Sequence, residues 1–590
     1  MGFTDVLEKV GTEGRFYIIH IVLLAIPIAI MATHNLLQNF VAAVPDHRCR
    51  VRLGDADSRY LNVTEEPLRE EFLRVFLPLD REGRPDKCRM YTSPQWHLLG
   101  TNETQGNGSQ PDTQECTDGW VYDHSQFAMT IVTEWDLVCN RKSLRHMAQS
   151  LYMAGILVGS IILGRLSDRH SQSRTEKYNR INEKLHTRTD EQPTCKRQTV
   201  YGRRTVLLLS HLLLAVSGTC GAFSSSFPLY CFWRVLSGMA VSGIILNTVC
   251  LSIEWIPMTF RIRAATFCNY FYTLGQLILP GIAYGIQDGR LLFLVLSVPF
   301  YVFFLYSWWT PESARWLVMN DKADVALKQL KRVARINGKK EEAEEITAAF
   351  LKSNMEAELK SSKGTYNALD LFKTPTVRRI TFCTMSIWFS TSFSYYGLAV
   401  DLQGFGVNIY LIQLIFGAID IPAKLVGICT MSYVGRRFTQ SATLILAGLV
   451  ILINIFVPKD LQVLSMTLAV IGKGSLATSF ACCYLYVSEL YPTVIRQTGV
   501  GLANTMARVG AIVAPMVKLS GDYLPFVPMS IYGGMAILSG VLAFGLPETL
   551  NTQLPDTVED VESRWRLGKA PKADVIPEPG AQIPLVEQRP

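Results

Sequence analysis

Residues 254–261 read EWIPMTFR and residues 489–496 read ELYPTVIR. Both keep the spacing Glu-x2-Pro-x3-Arg, through Glu254, Pro257 and Arg261 in the first and Glu489, Pro492 and Arg496 in the second, 235 residues apart (489 − 254). Two further pairs repeat at nearly the same offset. YGRRT from Tyr201 and VGRRF from Val434 place Gly202 and Gly435 233 apart (435 − 202), while PESARWL from Pro311 and PETL from Pro547 lie 236 apart (547 − 311). Three pairs at almost one offset mark a parallel internal repeat, a fold written twice along the chain.

Hydropathy says what is repeated. The chain has 590 residues, 49% of them apolar and only 18% charged, and its mean hydropathy is positive, which excludes an ordinary soluble multi-domain protein. Apolar windows of about 20 residues, long enough to cross roughly 30 Å of hydrocarbon, fall at 16–37, 146–166, 205–223, 228–250, 263–285, 291–310, 378–399, 407–431, 438–457, 464–486, 497–518 and 526–546. The repeated motifs fall just past the ends of corresponding spans. The expected architecture is an all-α membrane protein of twelve transmembrane helices in two six-helix halves. It divides into an N-terminus 1–15, a first bundle 16–310 with a large loop 38–145 and an inserted polar stretch 170–200, a central loop 311–377, a second bundle 378–548, and a disordered tail 549–590.

Basic residues orient this layout. The connection 165–204 holds eleven Lys or Arg and the loop 311–377 is lysine-rich, so both are expected on the cytoplasmic side, with both termini. The first fifteen residues carry acids where a cleaved signal would be basic, so the first span is expected to be retained. The loop 38–145 then lies outside, which suits its sequons at Asn62, Asn102 and Asn107 and its four cysteines, Cys49, Cys88, Cys116 and Cys139. Four cysteines allow three pairings, and the sequence does not choose among them. No Cys or His pair has metal-ligand spacing in a plausible context, and no nucleophile–base pair stands out. The net charge of +7 sits in cytosolic loops rather than in a nucleic-acid motif. Within the central loop, ADVALKQLKRVARI is amphipathic and suits either the inner lipid surface or the underside of the bundle.

A cation at bilayer depth needs a cavity or a partner. Arg508 lies twelve residues beyond Arg496, about 18 Å into its helix, with no acid one turn away, and suits a bidentate grip on a carboxylate or sulfonate. Lys424 has Asp420 one turn before it, so mutual neutralisation and a substrate role are both open. Lys473, between glycines, suits helix packing equally well. Trp388, Tyr395 and Tyr396 share one face of the seventh helix, a pattern that packing alone also explains.

MATHNLLQNF, CTDGWVYD, TIVTEWDLVC, PESARWL, FGVNIYLIQLIFGAIDIPAKLV and ELYPTVIRQTGVGLANTMARVG together resemble the organic anion transporter branch of solute carrier family 22, in the major facilitator superfamily. The resemblance implies a plasma-membrane carrier, on the basolateral surface of polarised cells, that exchanges small organic anions for an intracellular dicarboxylate such as 2-oxoglutarate. It implies a central cavity lined by Met31, Asn35, Tyr272, Trp388, Tyr395, Tyr396, Phe480, Lys424 and Arg508. Cation-handling relatives have an acid where this chain has Arg508. Asn269 departs from the family, which has a small residue there, and puts the substrate range in doubt. Urate, steroid sulfates, cations or zwitterions are alternative cargoes, and a receptor that kept the fold without transport is an alternative function.

The resemblance also exposes an interruption. The family's second connection reads Gly-x-Leu-x-Asp-Arg-x-Gly-Arg-Arg, but here Asp168 and Arg169 are separated from Gly202, Arg203 and Arg204, and deleting His170–Val200 restores GRLSDRYGRRT. The stretch is either an insertion peculiar to this protein or a segment retained in error, and its cleanly rejoining flanks favour the second. Gly435, Arg436 and Arg437 repeat the motif in the second half. With Glu254, Arg261, Glu489 and Arg496 these residues are expected to form a cytoplasmic gate; the alternative is that the arginines merely fix topology.

Overall fold

In the computed structural model of the chain, the described residues are 10–51 without 12–13, 73–98 without 81–82, 111–168, 201–353 without 257, 321, 345 and 352, and 368–567 without 401, 404–405, 459, 493–494, 553–554 and 556. Arg169, the stretch 170–200 and the sequons at Asn62, Asn102 and Asn107 lie outside them, as do the side chains of Asp168 and Arg261.

A long helix stands at each of the twelve expected positions. They are α1 (Arg15–Leu36), α2 (Lys142–Asp168), α3 (Arg203–Ala222), α4 (Phe227–Trp255), α5 (Met258–Gly285), α6 (Gly289–Ser307), α7 (Pro375–Ala399), α8 (Ile409–Tyr433), α9 (Arg436–Ile453), α10 (Gln462–Leu490), α11 (Arg496–Lys518) and α12 (Val527–Phe544). Ten are long and apolar enough to cross a membrane; α5 and α7 are long enough but too polar. Those two carry Thr273 and Gln276, and Thr384, Thr391 and Ser394, all of them buried. The outer faces are apolar, as at Ile18, Val302 and Val426, while Arg234, Asn247, Gln440 and Lys473 are wholly buried. Apolar outside and polar inside is what a hydrocarbon solvent imposes.

The contacts obey the repeat. α1 packs on α5 as α7 does on α11, α2 on α4 as α8 on α10, and α3 on α6 as α9 on α12. The halves meet through α2 against α11 and α5 against α8, a pair that maps onto itself when six is added to each helix number. Finer features also repeat. Pro280 in α5 and Pro515 in α11 share the offset of 235 (515 − 280), as do Gly275 and Gly510 (510 − 275). A Cβ on Gly275 would stand 1.9 Å from the Ala29 carbonyl oxygen of α1, and one on Gly510 would stand 2.5 Å from that of Phe389 in α7. Small residues let these backbones touch, which is how membrane helices gain packing energy.

At one end, the segment before α2 forms two antiparallel ladders, β1 (His47–Cys49) with β4 (Trp120–Tyr122) and β2 (Arg89–Tyr91) with β3 (Thr113–Glu115). Of the three pairings left open, the structure has Cys49–Cys116 and Cys88–Cys139. Arg290, at the start of α6, pairs with Glu134 and donates to the Ser224 carbonyl (2.9 Å), fastening this segment to the bundle. At the other end, the amphipathic helix of the central loop, Ala323–Asn337, packs on α1. Its Asn337 accepts from the Phe16 amide (3.0 Å) and donates to the Val10 and Gly11 carbonyls (3.1 Å each). The tail read as disordered from 549 requires correction, because Val558–Leu567 is a helix on α7, with Val561 buried and Glu562 accepting from the Thr376 amide (3.1 Å) and hydroxyl (2.7 Å). Its polar composition concealed a cap for the exposed amides at the start of α7.

Candidate binding cavity and the repeated-motif clusters

Asn35, near the end of α1, gathers the cavity. Its side chain donates to the Tyr272 hydroxyl of α5 (3.1 Å) and accepts from the Tyr152 hydroxyl of α2 (2.8 Å). The Tyr396 hydroxyl faces Tyr272, and the Tyr395 ring meets those of Tyr396 (5.5 Å) and Phe480 (5.4 Å) nearly at right angles. Trp388, one face of α7 deeper, packs edge-on against Phe480 and Tyr484. The aromatic residues read from the sequence therefore form one wall. Met31, one turn before Asn35, is buried in the core beside it.

Arg508 is half-buried on α11, within electrostatic reach of Tyr152, Tyr272, Tyr396 and Tyr484. Among the described residues it has no ion pair. Lys424 does not close directly on Asp420. Asp420 is taken by Lys473 (2.5 Å, both side chains buried), while Lys424 crosses to α5, donating to Thr273 Oγ1 (2.7 Å) and the Asn269 carbonyl (3.1 Å). Gln276 completes that junction, donating to Asp420 Oδ2 (3.3 Å) and the Tyr395 hydroxyl (3.4 Å) and accepting from Lys473 (3.3 Å). Lys473 also donates to the Phe416 carbonyl.

Three residues escaped the sequence reading. Tyr484 follows Phe480 by one turn, and its ring, 49% accessible, lies 4.5 Å from that of buried Trp388. Tyr152 shares no motif with the cavity and is placed only by the fold. Arg234 is wholly buried in α4, its guanidinium 4.2 Å from the Tyr152 ring centre and donating to Gln149 Oε1 (3.4 Å). A lone cation in CFWRVL was the available signal for it.

The repeated motifs assemble far from this cavity, as two matching clusters. Arg203 pairs with Glu254 (3.3 Å) and Arg436 with Glu489 (3.2 Å), each within its own half. The acids of the PESARWL and PETL motifs, which the sequence reading left out of the gate, join them. Glu312 accepts from the Arg204 amide (3.2 Å), and Glu548 from the amides of Arg436 (2.9 Å) and Arg437 (3.0 Å). Each acid thus caps the start of α3 or α9, where unpaired amides favour a carboxylate. Burial pushes the Glu312 carboxyl above the usual range, and the backbone amide bonds oppose that rise. Both glycines make room for these acids, since an added Cβ would stand 1.9 Å from Glu312 at Gly202 and 2.5 Å from Glu548 at Gly435. Gly435 also has φ +118°, open to glycine alone, whereas Gly202 has an ordinary φ of −91° and needs only the space. Arg496 donates to the Tyr491 carbonyl (3.2 Å).

The opposite end is shut across the halves. Asn39 donates to the Ala399 carbonyl (2.8 Å) and Gln413 (3.2 Å), Val44 and Gln403 exchange two bonds (3.0 and 3.2 Å), and Tyr410 stacks on Phe40 and Phe127.

Comparison with known proteins agrees with this picture. The sequence profile of the family described as "Sugar (and other) transporter" matches residues 196–560. The chain is similar in fold to the inward-open xylose transporter XylE of E. coli (TM-score 0.55, 17% identity, 75% of this chain and 93% of that one). The same holds for XylE as the major facilitator superfamily proton:xylose symporter bound to a bromodeoxyglucose (TM-score 0.55, 17% identity, 92% and 99%). It is 50% identical to solute carrier family 22 member 6-A of Xenopus laevis over 97% of this chain and 96% of that protein. It is 46% identical to organic anion transporter 3 of Homo sapiens over 99% and 98%. With the repeat, the helix pairing and near-full-length identity in agreement, the chain belongs to solute carrier family 22 and has the major facilitator fold.

Proposed function

We propose that the chain carries small organic anions across the plasma membrane by alternating access, with both termini and the central helices in the cytoplasm and the disulfide-linked segment outside. The observation that carries this reading is Arg508, a cation at mid-helix depth with no acidic partner among the described residues, within electrostatic reach of four tyrosines. Such a charge is costly in a membrane interior until an anion joins it. Tyr272, Tyr396, Trp388 and Phe480 supply flat apolar walls for the organic part, and Asn35 and the hydroxyls orient it. The relatives named organic anion transporters support the class of cargo. A carrier whose empty site holds an uncompensated cation crosses more readily loaded, so the return step carries an anion; the family resemblance makes that counter-substrate a dicarboxylate such as 2-oxoglutarate. Rocking of the halves about α2–α11 and α5–α8 breaks the outer bonds of Asn39, Val44 and Gln403 and remakes them.

The test is uptake of a labelled aromatic carboxylate into cells preloaded with 2-oxoglutarate. Preloading is expected to raise uptake several-fold, and Arg508→Ala is expected to reach the surface yet lose uptake by at least tenfold, the loss of one charge-assisted contact. Uptake that ignores preloading removes the exchange step, and normal uptake by Arg508→Ala removes the site.

A further inference from the structure

A second pocket opens at the end that carries the disulfides, on the seam between the halves. Gln38 and Asn39 of the chain after α1, Arg145 and Gln149 of α2, and Gln403 and Ile409 across the seam contribute to its lining, and among the described residues no lining side chain is acidic. Arg145 is half-buried there. Its guanidinium lies 3.3 Å from His146 Nε2, and among the described residues it has no ion pair. Side-chain amides surround it, groups that can donate to an anion but cannot neutralise a cation.

This pocket is joined to the central cavity by one face of one helix. Arg145, Gln149 and Tyr152 stand at i, i+4 and i+7 on α2, about 10 Å from first to last. Gln149 donates to the Asn35 carbonyl (3.4 Å) and Tyr152 to Asn35 Oδ1 (2.8 Å), and Tyr152 is within electrostatic reach of Arg508. The bonds that shut the seam, from Asn39 to Ala399 and between Val44 and Gln403, lie beside the pocket. When they part, Arg145 stands at the mouth of the path and Arg508 at its end.

We propose that Arg145 forms an outer staging site that takes the carboxylate or sulfonate group of an incoming organic anion before it reaches Arg508. This rests on the reading of the chain as an organic-anion carrier. A charge at the mouth speeds arrival more than it strengthens final binding. The site therefore acts on uptake at low substrate concentration and leaves the saturated rate alone.

The test uses the full chain in cells, with carboxyfluorescein as the anion and rates expressed per surface molecule. Arg145→Ala is expected to raise the KM of uptake about 5–10-fold, the effect of one charged contact, with the saturated rate unchanged. Arg145→Glu is expected to raise KM further, and Arg145→Lys to keep most of the parent's value. A parent-like KM in both the Ala and Glu variants overturns the proposal, as does a lowered saturated rate at unchanged KM, which marks a contact of the closing seam. Uptake by the parent that Arg508→Ala does not reduce strikes the carrier reading itself, whereas an Arg508 effect with no Arg145 effect removes only the staging site.

Discussion

Three cations at bilayer depth have three different surroundings, and these set what each substitution does. Lys473 has Asp420 and two oxygen acceptors; Arg234 has an aromatic face and an amide; Arg508 has tyrosines in its electrostatic reach and, among the described residues, no ion pair. Breaking a buried pair by removing one member strands the other charge, at about 3–5 kcal/mol, while removing both costs far less. Lys473→Met alone is therefore expected to lower thermal stability and surface expression more than Lys473→Met with Asp420→Asn, as thermal unfolding in detergent would measure. Equal losses in the two variants would mean that Lys473 matters as a cation in its own right. In the sequence the three residues look alike, each a single charge in an apolar run, because pairing depends on α5, α8 and α10 meeting.

At the scale of the element, close packing and end-capping carry the sequence signals that composition hides. Gly510 admits the α7 backbone, and Gly501, on the same helix, has open space where a Cβ would go. Gly510→Ala is expected to cost roughly 1–3 kcal/mol by overpacking and to reduce surface protein, with Gly501→Ala as its neutral control; comparable yields would refute the close approach. Glu562→Ala is expected to cost about 1 kcal/mol through the lost cap at Thr376, visible as a lower unfolding temperature with no change in KM. The helix Val558–Leu567 was passed over because three acids and two arginines in ten residues read as a solvated tail; Val558, Val561 and Trp565, at i, i+3 and i+7, were the available signal, and the end of α7 gives Val561 and Glu562 something to bind.

Over the whole molecule, the parallel repeat yields a contact pattern that survives exchange of the halves. α2 packs on α4 and α11 and α3 packs on α4 and α6, so each is held by helices other than the one it is joined to. Loop closure cost grows only as about (3/2)RT ln n. The chain lacking His170–Val200 and the full chain are both expected to reach the surface and take up an aromatic carboxylate. Uptake by the shortened form alone would mean that the stretch disables the gate or does not belong to the natural protein, and failure of both at the surface would favour a receptor that kept the fold.

What the sequence determined by itself is the part fixed by the solvent and by repetition. Hydrocarbon favours apolar helices of about twenty residues, so all twelve helix positions were legible to within a few residues, although α5 and α7 are more polar than the other ten, and the nearly equal offsets of Glu254 with Glu489 and Gly202 with Gly435 were enough to pair the halves. Family resemblance placed Asn35, Tyr272, Tyr395, Tyr396 and Phe480 near one another, and their contacts bear out that proximity. Only the tertiary structure decided the partners. It gave Asp420 to Lys473 rather than to Lys424, put Glu312 and Glu548 at the helix ends beside the paired arginines, chose one disulfide pairing of three, and brought Tyr152, Tyr484 and Arg234 to the interior. The physical reason is range: helix formation in a membrane is set within one turn and one span, whereas charge pairing is set by side chains that approach within 4 Å from helices hundreds of residues apart.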